Sequence, residues 1–518
     1  MTPDVILDDP YLQELLTRLD ATLDAESGTG SQAAAQNPQG AAPSGATPGA
    51  KPVEGAIPGS VAFFRQLLSG SGSPEAAQDK QPAEQIAQPS TEPVTKAEVP
   101  FTPVAPSSLA EAQLVDSEVE SLVLKFLLNE GNATGRKVAT QICLPFCVVT
   151  NVLAQMKADQ LIVHKGDAPL GDYLYQLTTT GRENARAHFR HCSYYGASPV
   201  HLSDYIISVQ AQSVTAQRPT IDDMDHVFAD LLLNTALQNQ IGQAIHAGHG
   251  FFLYGAPGNG KTSVAERVAR AFGQTVWIPR AIGVGGEIIR VYDPCKHVEV
   301  PLEEPEGIAD ANRVDRRWVR IRRPTIVVGG ELTMEQLEIT RNTSTGVSEA
   351  PLQLKSNCGT LVIDDFGRQR ISVLDLLNRW IVPLDRHFDL LNLACGKTIQ
   401  VPFDQVLIFS TNLQPRDLVD EAFLRRMPYK IEVLDPTEAE FRELFRMYGD
   451  RFGFEYNEEA VQYLIQRHYR DAHRAFRYCQ PRDLLSQVRN FCNFNKRPLA
   501  MTPDGFDMAV RNYFAVMG

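Results

Sequence analysis

The sequence predicts an α/β protein whose largest part is a three-layer αβα sandwich with a helical lid at its C-terminal end. Short apolar runs at 251–254, 361–363 and 406–412 predict buried strands, and the last two lead directly into polar residues. A glycine-rich loop and a helical pattern follow the first run. Four helical and two strand patterns between 117 and 189 predict a smaller α+β domain ahead of the sandwich.

The length of the chain indicates the number of domains, and its net charge argues against one class of function. A chain of 518 residues predicts about three domains. The formal net charge of −13 argues against a general polyanion binder, which is normally basic. Residues 1–110 contain 13 acidic and 5 basic side chains, so −8 of the total belongs to this stretch and only −5 to the rest. Most of the acidity therefore belongs to a tail.

The first segment, 1–109, is rich in Pro, Ala and Gly, and we expect it to be a mostly disordered tail. Apolar residues at helical spacing predict two short helices in it, at 11–25 and 59–69. These helices either dock other proteins or fold back on the chain, and the sequence leaves both open. No apolar segment indicates a signal peptide or a membrane span, so the expected location is the cytoplasm.

Eight cysteines are too few for a disulfide scaffold, and no pair is completed to a zinc-binding pattern. We expect all eight to be reduced and buried.

The segment 110–192 has the order of three helices, two strands and a final helix. The predicted elements are helices at 117–128, with Ser117 as N-cap, 134–142 and 146–159, strands at 161–166 and 173–178, and a helix at 180–189. This order resembles a winged helix, and YQLTTTGRENA (175–185) is similar to the wing and final helix of many bacterial winged-helix regulators. The resemblance implies DNA or protein contacts, and both remain open.

In a winged helix, the third predicted helix is the recognition helix. Its exposed candidates are Thr150, Asn151, Gln155 and Lys157, with Arg136 and Lys137 adding charge nearby. Residues 193–220 are expected to be a connector to the sandwich.

The strongest motif is GAPGNGKT, which satisfies the pattern G-x-x-x-x-G-K-[ST] between a strand and a helix. Glycines allow a backbone to wrap around phosphates, and loop N–H groups with a helix N-terminus supply positive charge. Lys261 is expected to reach the β- and γ-phosphates of ATP, and the Thr262 hydroxyl to ligate Mg²⁺. The predicted nucleotide-binding residues are Gly255, Ala256, Pro257, Gly258, Asn259, Gly260, Lys261, Thr262 and Ser263.

Polar residues that end the next two strands complete the predicted catalytic centre. Asp364 and Asp365 end the run 361–363 at the Walker B position, where Asp364 would hold Mg²⁺ and Asp365 would act on the attacking water. Asn412 ends the run 406–412 and is assigned the sensor-1 role of positioning water against the γ-phosphate.

Three arginines are candidates for contacts to the phosphates. Arg425 and Arg426 are adjacent, and one of them would reach the active site of a neighbouring subunit as an arginine finger. Arg426 is the favoured residue and Arg425 the alternative. Arg482 follows Pro481 at the start of a helix and is the candidate sensor-2 arginine of the lid.

These motifs, in this order and spacing, resemble those of AAA+ ATPases. The resemblance covers 221–518 and implies a nucleotide-binding domain at 221–434, a helical lid at 435–518 and a homo-oligomeric ring, often a hexamer. The implied activity is Mg²⁺-dependent ATP hydrolysis. A predicted hairpin with Gly396-Lys397 at its turn is similar to the pre-sensor-1 hairpin of MoxR-like ATPases. Asp365 stands where most relatives have Glu, which resembles DnaA- and DnaC/IstB-like members.

The approach to Walker B, 350–367, also resembles that of enhancer-binding transcription activators, but the GAFTGA loop with which those contact polymerase is absent.

A second basic feature precedes Walker B. Around Trp318, the stretch 313–323 contains Arg313, Arg316, Arg317, Arg320, Arg322 and Arg323. It is either a nucleic-acid contact or a solvated or ion-paired face, with the acidic stretch 298–307 as a nearby partner.

Three functions are therefore compared. The leading one is a ring-forming ATPase that remodels an unidentified protein client. The alternatives are a DNA-associated regulator or loader that uses the winged helix or the arginine cluster, and a slow nucleotide-gated scaffold.

Overall fold

The computed structural model describes residues 101–302, 314–419 and 421–515. The chain divides into two units, 1–94 and 95–518, and every described residue belongs to the second. The tail helices expected at 11–25 and 59–69, and the disorder expected around them, lie outside the described residues, as does Arg313.

The first part of the described chain is a small α+β domain. Its elements are α1 (Asp116–Glu130), β1 (Asn132–Thr134), α2 (Gly135–Ile142), α3 (Phe146–Ala158), β2 (Ile162–Ala168), β3 (Asp172–Leu177) and α4 (Thr179–His191). The strands form an antiparallel sheet in the order β1-β3-β2. The short strand β1 is not predicted from the sequence. Ser117 is not the N-cap of α1, since the helix begins one residue earlier and the Val115 N–H donates to Glu118 (3.2 Å).

Residues on either side of this domain are part of the packed structure. In the stretch assigned to the tail, the Phe101 ring packs edge-on against Trp318 (5.7 Å between centroids). The stretch expected to be a connector, 193–220, contains β4 (Val200–His201) and α5 (Leu202–Ala211). Tyr205 of α5 is fully buried and accepts a hydrogen bond from Asn357 Nδ2 (2.8 Å). Buried side chains therefore fix this stretch to the rest of the fold.

The remaining elements follow in chain order. Up to the Walker B strand they are α6 (Ile221–Val227), α7 (Thr235–His246), β5 (Phe251–Tyr254), α8 (Lys261–Val268), β6 (Thr275–Pro279), β7 (Ala281–Val284), β8 (Glu287–Arg290), β9 (Trp318–Arg322), β10 (Thr325–Val328), β11 (Thr340–Arg341), β12 (Ser348–Glu349), α9 (Leu352–Lys355) and β13 (Gly359–Ile363). After it come α10 (Val373–Arg386), β14 (Phe388–Asn392), β15 (Thr398–Pro402), β16 (Gln405–Thr411), α11 (Pro415–Leu418), α12 (Glu421–Arg426), β17 (Tyr429–Glu432), α13 (Glu438–Phe452), α14 (Glu458–Leu464), α15 (Gln480–Phe494) and α16 (Pro503–Tyr513). Short 3₁₀ turns at Ala269–Phe272 and Met334–Leu337 and a π-helical turn at Ile465–Arg470 complete the set.

A five-stranded parallel sheet forms the centre of the large domain, in the order β10-β13-β16-β5-β17. Alternate residues of each strand point to opposite faces of the sheet. Phe251, Leu253 and Ile408 pack against α6, α7 and α8, whereas Phe252, Leu407 and Phe409 pack against α9, α10 and α12. Because both faces are covered, the strands are continuously apolar, and the predicted αβα sandwich is confirmed.

An insertion separates α8 from β10 and is not predicted from the sequence. It contributes the pair β6-β9 and the two strands β7 and β8 of a second sheet, whose order is β11-β12-β8-β7-β4. Strands β14 and β15 form the predicted antiparallel hairpin, with Gly396 at its turn in a left-handed conformation (φ 85°). Leu391 and Val401 of the hairpin share a buried cluster with Val276 and Ile289 of the insertion. This cluster attaches the hairpin to the inserted strands.

The lid consists of α13 to α16 around an aromatic core that includes Phe441, Phe445, Tyr469 and Phe506. Within the described residues, no single helix has the length and apolar character needed to cross a membrane. The eight cysteines are free, as expected, but Cys147, Cys295 and Cys395 are exposed. The expectation that all eight are buried is therefore wrong for these three.

Candidate functional site

The glycine-rich loop lies between β5 and α8, at the carboxyl edge of the central sheet. Gly255 (φ 143°), Gly258 (φ 85°) and Gly260 (φ 79°) have conformations that other residues rarely adopt. A Cβ atom at Gly258 would lie 2.6 Å from the sulfur of Cys479 in the lid. The motif therefore uses glycine both for backbone turns and for close approach to the lid. Helix α8 begins at Lys261, two residues before the expected start.

Lys261 lies within this loop and is 7% exposed. Its ammonium group donates to the carbonyl oxygens of Gly255 and Ala256 (3.0 Å each) and to Asn412 Oδ1 (2.6 Å). Burial lowers the pKa of Lys261, and the carboxylates of Asp364 and Asp365 act in the opposite direction. The ammonium therefore sits where loop, Walker B and sensor residues meet, as the motif predicts.

Thr262 and Asp364 bring two oxygen ligands together. The Thr262 hydroxyl donates to Asp364 Oδ2 (2.8 Å), which joins the first turn of α8 to the end of β13. A hydroxyl and a carboxylate are ligands that Mg²⁺ prefers, and they lie beside the phosphate-binding loop. The residues present therefore fit a magnesium ion, which Thr262 and Asp364 would hold.

Asp365 and Asn412 face each other across the edge of β13 and β16. Asn412 Nδ2 donates to Asp365 Oδ1 (3.2 Å), while its Oδ1 accepts from Lys261. Asp365 has a left-handed backbone conformation (φ 48°), which is uncommon for a residue other than glycine. A strained residue at the end of a buried strand is typical of a functional site.

The loop lines one wall of a cleft of about 380 Å³, and the lid lines another. Arg482 lines the cleft from α15, 56% exposed, and pairs with its neighbour Asp483 (2.9 Å). Apolar side chains also line this cleft and are not predicted from the sequence. They are Leu231, Leu232, Leu233, Leu444 and Met447. The run of three leucines at 231–233 is the only local signal for them. The cleft thus has a polar part at the loop and an apolar part that is able to hold a base.

A contact between the glycine-rich loop and the lid is also not predicted from the sequence. Asn259 of the loop is buried, and its Nδ2 donates to Asp435 Oδ1 (2.8 Å) in the segment that leads into the lid. Arg477 of the lid pairs with the same Asp435 oxygen. The Asn259 Oδ1 atom is buried without a hydrogen-bond partner in the described structure. Asp435 therefore connects loop and lid, a role that no local motif reveals.

Neither Arg425 nor Arg426 lines the cleft of its own chain. Arg426 Nε donates to both carboxylate oxygens of Asp385 (2.9 Å each), and Arg425 is exposed on the same short helix α12. The structure thus places both outside the loop, Walker B and sensor cluster.

The described members of the arginine cluster do not form one exposed surface. Arg317 is 3% exposed, pairs with Asp315 (2.8 Å) and donates to the carbonyls of Ala112 and Pro199. Arg323 donates to the carbonyls of Gln212 and Cys358. Both guanidinium groups join distant segments, so a nucleic-acid role for them is wrong. Of the described members, Arg316 and Arg322 are exposed.

The described part of the acidic stretch, 298–302, meets the cluster through backbone contacts, and Glu299 pairs with Arg280 outside the cluster. Glu299 forms a β-bridge with Ile321, and the Val300 N–H donates to the Arg320 carbonyl (2.8 Å).

The four candidates on α3, Thr150, Asn151, Gln155 and Lys157, are exposed, as are Arg136 and Lys137. Lys137 pairs with Glu130, which reduces the free positive charge at this face.

Comparisons with known proteins add little beyond the fold. A family model described as a domain of unknown function (DUF8689) matches residues 437–512, within the lid. None of the curated proteins searched matches the chain. Among solved structures, a mutant of RuvB from Thermotoga maritima is 14% identical, with a TM-score of 0.33, over 55% of this chain and 71% of the other. The T. maritima RuvB Holliday junction branch migration motor is 13% identical, with a TM-score of 0.31, over 55% and 70%.

Likeness this low carries no argument about activity. The order of the parallel strands, the glycine-rich loop after β5 and the helical lid agree with the sandwich and lid expected from the sequence.

Proposed function

We propose that the chain binds and hydrolyses ATP in the cleft between the central sheet and the lid. The observation that carries this proposal is the convergence of Lys261, the Thr262–Asp364 pair and the Asp365–Asn412 pair at the ends of adjacent strands. Loop N–H groups and the start of α8 bind phosphate oxygens, and Lys261 moves from loop carbonyls to the β- and γ-phosphates.

The carboxylates and the sensor amide do the remaining chemistry. Thr262 and Asp364 hold Mg²⁺, which supplies positive charge to the phosphates when bound. Asn412 orients the attacking water, and Asp365 accepts its hydrogen bond on the side opposite the leaving group. Arg482 closes over the phosphates from the lid when it leaves Asp483.

The proposed assembly is a homo-oligomeric ring, with six subunits as the favoured number. An arginine of α12 then enters the cleft of the neighbouring subunit, which agrees with its position outside its own cleft. The hairpin β14–β15 supports placement among MoxR-like ATPases, and the proposed work of the ring is remodelling of a protein client. The proposed parts are a tail (1–109), a winged-helix domain (110–192), a nucleotide domain (221–434) and a lid (435–518).

Asp364→Asn tests the proposed activity, because it removes a charge at the Mg²⁺ position but leaves the loop intact. We expect it to retain a fluorescent ATP analogue and to lose most phosphate release. Asp222→Asn, at an exposed position on α6, is the matched control and should behave as the wild type. Equal phosphate release from all three proteins would refute the proposal.

A second candidate function, a DNA-associated regulator or loader, is favoured by one observation. Arg182, Arg186 and Arg190 recur every four residues along α4, are exposed, and form no ion pair within the described residues. Such a row suits backbone phosphates at the proposed winged helix. Fluorescence anisotropy with duplex and single-stranded DNA at physiological salt tests it, and loss of binding in Arg186→Glu is expected. Absence of binding at micromolar protein would exclude this function.

The third candidate, a slow nucleotide-gated scaffold, rests on Asp365 in place of the more usual Glu. Asp365→Glu should then raise the rate of phosphate release, and an unchanged rate removes the reason for this candidate.

A further inference from the structure

A second cavity, of about 320 Å³, lies between the N-terminal α+β domain and the inserted sheet. Helices α1 and α4 line one side, and the β7–β8 turn with β12 lines the other. It shares no lining residue with the nucleotide cleft. Cavities between domains are frequent ligand sites, and this volume is within the range of small-molecule pockets.

Lys125 of α1 lines this cavity and is 3% exposed. Its ammonium group donates to the Cys192 carbonyl (3.2 Å), and within the described residues it has no other hydrogen bond and no carboxylate within ion-pair distance. A buried charge is strongly unfavourable unless it is paired. Burial accordingly lowers the pKa of Lys125. Among the described residues, the side chain therefore has no carboxylate as a counter-charge, and only the neighbouring Cys192 thiol acts to raise its pKa.

Besides Lys125, the charged and imidazole side chains of the cavity are two histidines, one arginine and two carboxylates. His188 and His191 extend from α4, and Arg341 reaches the cavity from β11. The two carboxylates that line it already accept hydrogen bonds: Glu118 from the Val115 N–H (3.2 Å) and Glu287 from the Cys395 N–H (2.9 Å). An anion that passed Arg341 at the rim would reach the Lys125 ammonium, which has no carboxylate partner among the described residues.

We propose that this cavity binds a small oxyanion, a phosphate or carboxylate group, with Lys125 as its principal ligand. Its walls come from two different parts of the fold, so a bound anion joins the N-terminal domain to the insertion. The proposal does not depend on ATP hydrolysis.

The test separates this cavity from the nucleotide loop, which also binds phosphate. Lys261→Ala weakens the loop site, and Lys261→Ala/Lys125→Met removes both lysines. Thermal unfolding is followed while inorganic phosphate or succinate is titrated, with NaCl holding ionic strength constant. We expect saturable stabilisation of Lys261→Ala by at least one anion in the millimolar range, and its loss in the double variant. Stabilisation by only one anion identifies the preferred group.

Two results would overturn the proposal: no saturable shift of Lys261→Ala with either anion, or the same shift in the double variant. Arg341→Ala keeps the test decisive if the double variant does not fold, because Arg341 is exposed at the rim. Its combination with Lys261→Ala should weaken anion binding several-fold. If the variant with Lys125→Met does not fold and Lys261→Ala/Arg341→Ala binds the anion as tightly as Lys261→Ala, the proposal is also contradicted.

Discussion

Lys261 and Lys125, the two lysines that are buried among the described residues, have opposite surroundings. Lys261 has three hydrogen-bond acceptors and two nearby carboxylates, in a cleft that a sequence motif predicts. Lys125 has one carbonyl acceptor, in a cavity that no motif predicts. Burial removes both ammonium groups from water and lowers the pKa of each. A sequence motif therefore predicts local backbone geometry, whereas a buried charge without a carboxylate partner can be recognised only in the folded structure.

In the proposed ring, an arginine of a neighbouring subunit completes the Lys261 site, whereas a single chain forms the Lys125 cavity. The largest expected effect follows: Arg426→Ala should lower ATP turnover about 1,000-fold, because an arginine finger neutralises transition-state charge. Turnover per subunit should also rise with protein concentration, unlike anion binding at Lys125. Arg425→Ala is the parallel variant, and melting temperatures check for loss of the Asp385 pair. Wild-type turnover in both variants would contradict a finger on α12.

The next prediction is that only one of the two lysines contributes to the affinity for ATP. Lys261→Ala should weaken binding of a fluorescent ATP analogue about 100-fold, because charge-assisted hydrogen bonds contribute about 3 kcal/mol. Lys125→Met should leave that affinity unchanged. Equal losses in the two variants would mean that the lysines do not serve separate sites.

A smaller effect concerns the connection between loop and lid. Asp435→Asn weakens the contacts to Asn259 and Arg477, so turnover should fall about tenfold through loss of charge-assisted bonds. The change should appear in kcat, with KM less affected, because Asp435 positions the lid instead of binding ATP. Asp450→Asn, exposed at the end of α13, is the control. A change confined to KM would refute the positioning role.

The smallest effect is on stability. Lys125→Met replaces an unpaired buried ammonium by an apolar side chain of similar length, so without added anion the free energy of unfolding should rise by about 1 kcal/mol. Lys165→Met, at an exposed position of β2, should change it little. Denaturant titration of both variants checks this, and a clear loss of stability in Lys125→Met would show that the ammonium is paired in the wild type.

Local patterns predicted much of the fold. The buried strand runs, the hairpin β14–β15 and the helices of the N-terminal domain follow from apolar periodicity and turn residues, and their bounds differ from the predicted ones by one or a few residues. The loop, Thr262, Asp364, Asp365 and Asn412 meet as predicted because the carboxyl ends of neighbouring parallel strands share one edge.

Long-range contacts were not predictable. The sequence leaves Arg317 in either a nucleic-acid contact or a solvated or ion-paired face, yet its guanidinium group is buried and donates to the carbonyls of Ala112 and Pro199, far away in the sequence. The second sheet forms from short strands in the order β11-β12-β8-β7-β4, a pairing that no local period specifies. Asp435 likewise gains its role only when the loop and Arg477 meet it. Tertiary partners decide whether such polar residues are surface or core.

The most direct test of the account measures phosphate release from ATP by the purified wild-type chain and by Lys261→Ala, each with Mg²⁺ and with excess EDTA. The account predicts release by the wild type that stops in EDTA and falls to background in Lys261→Ala. Equal release by the two proteins, or no release by the wild type at any protein concentration, would contradict it.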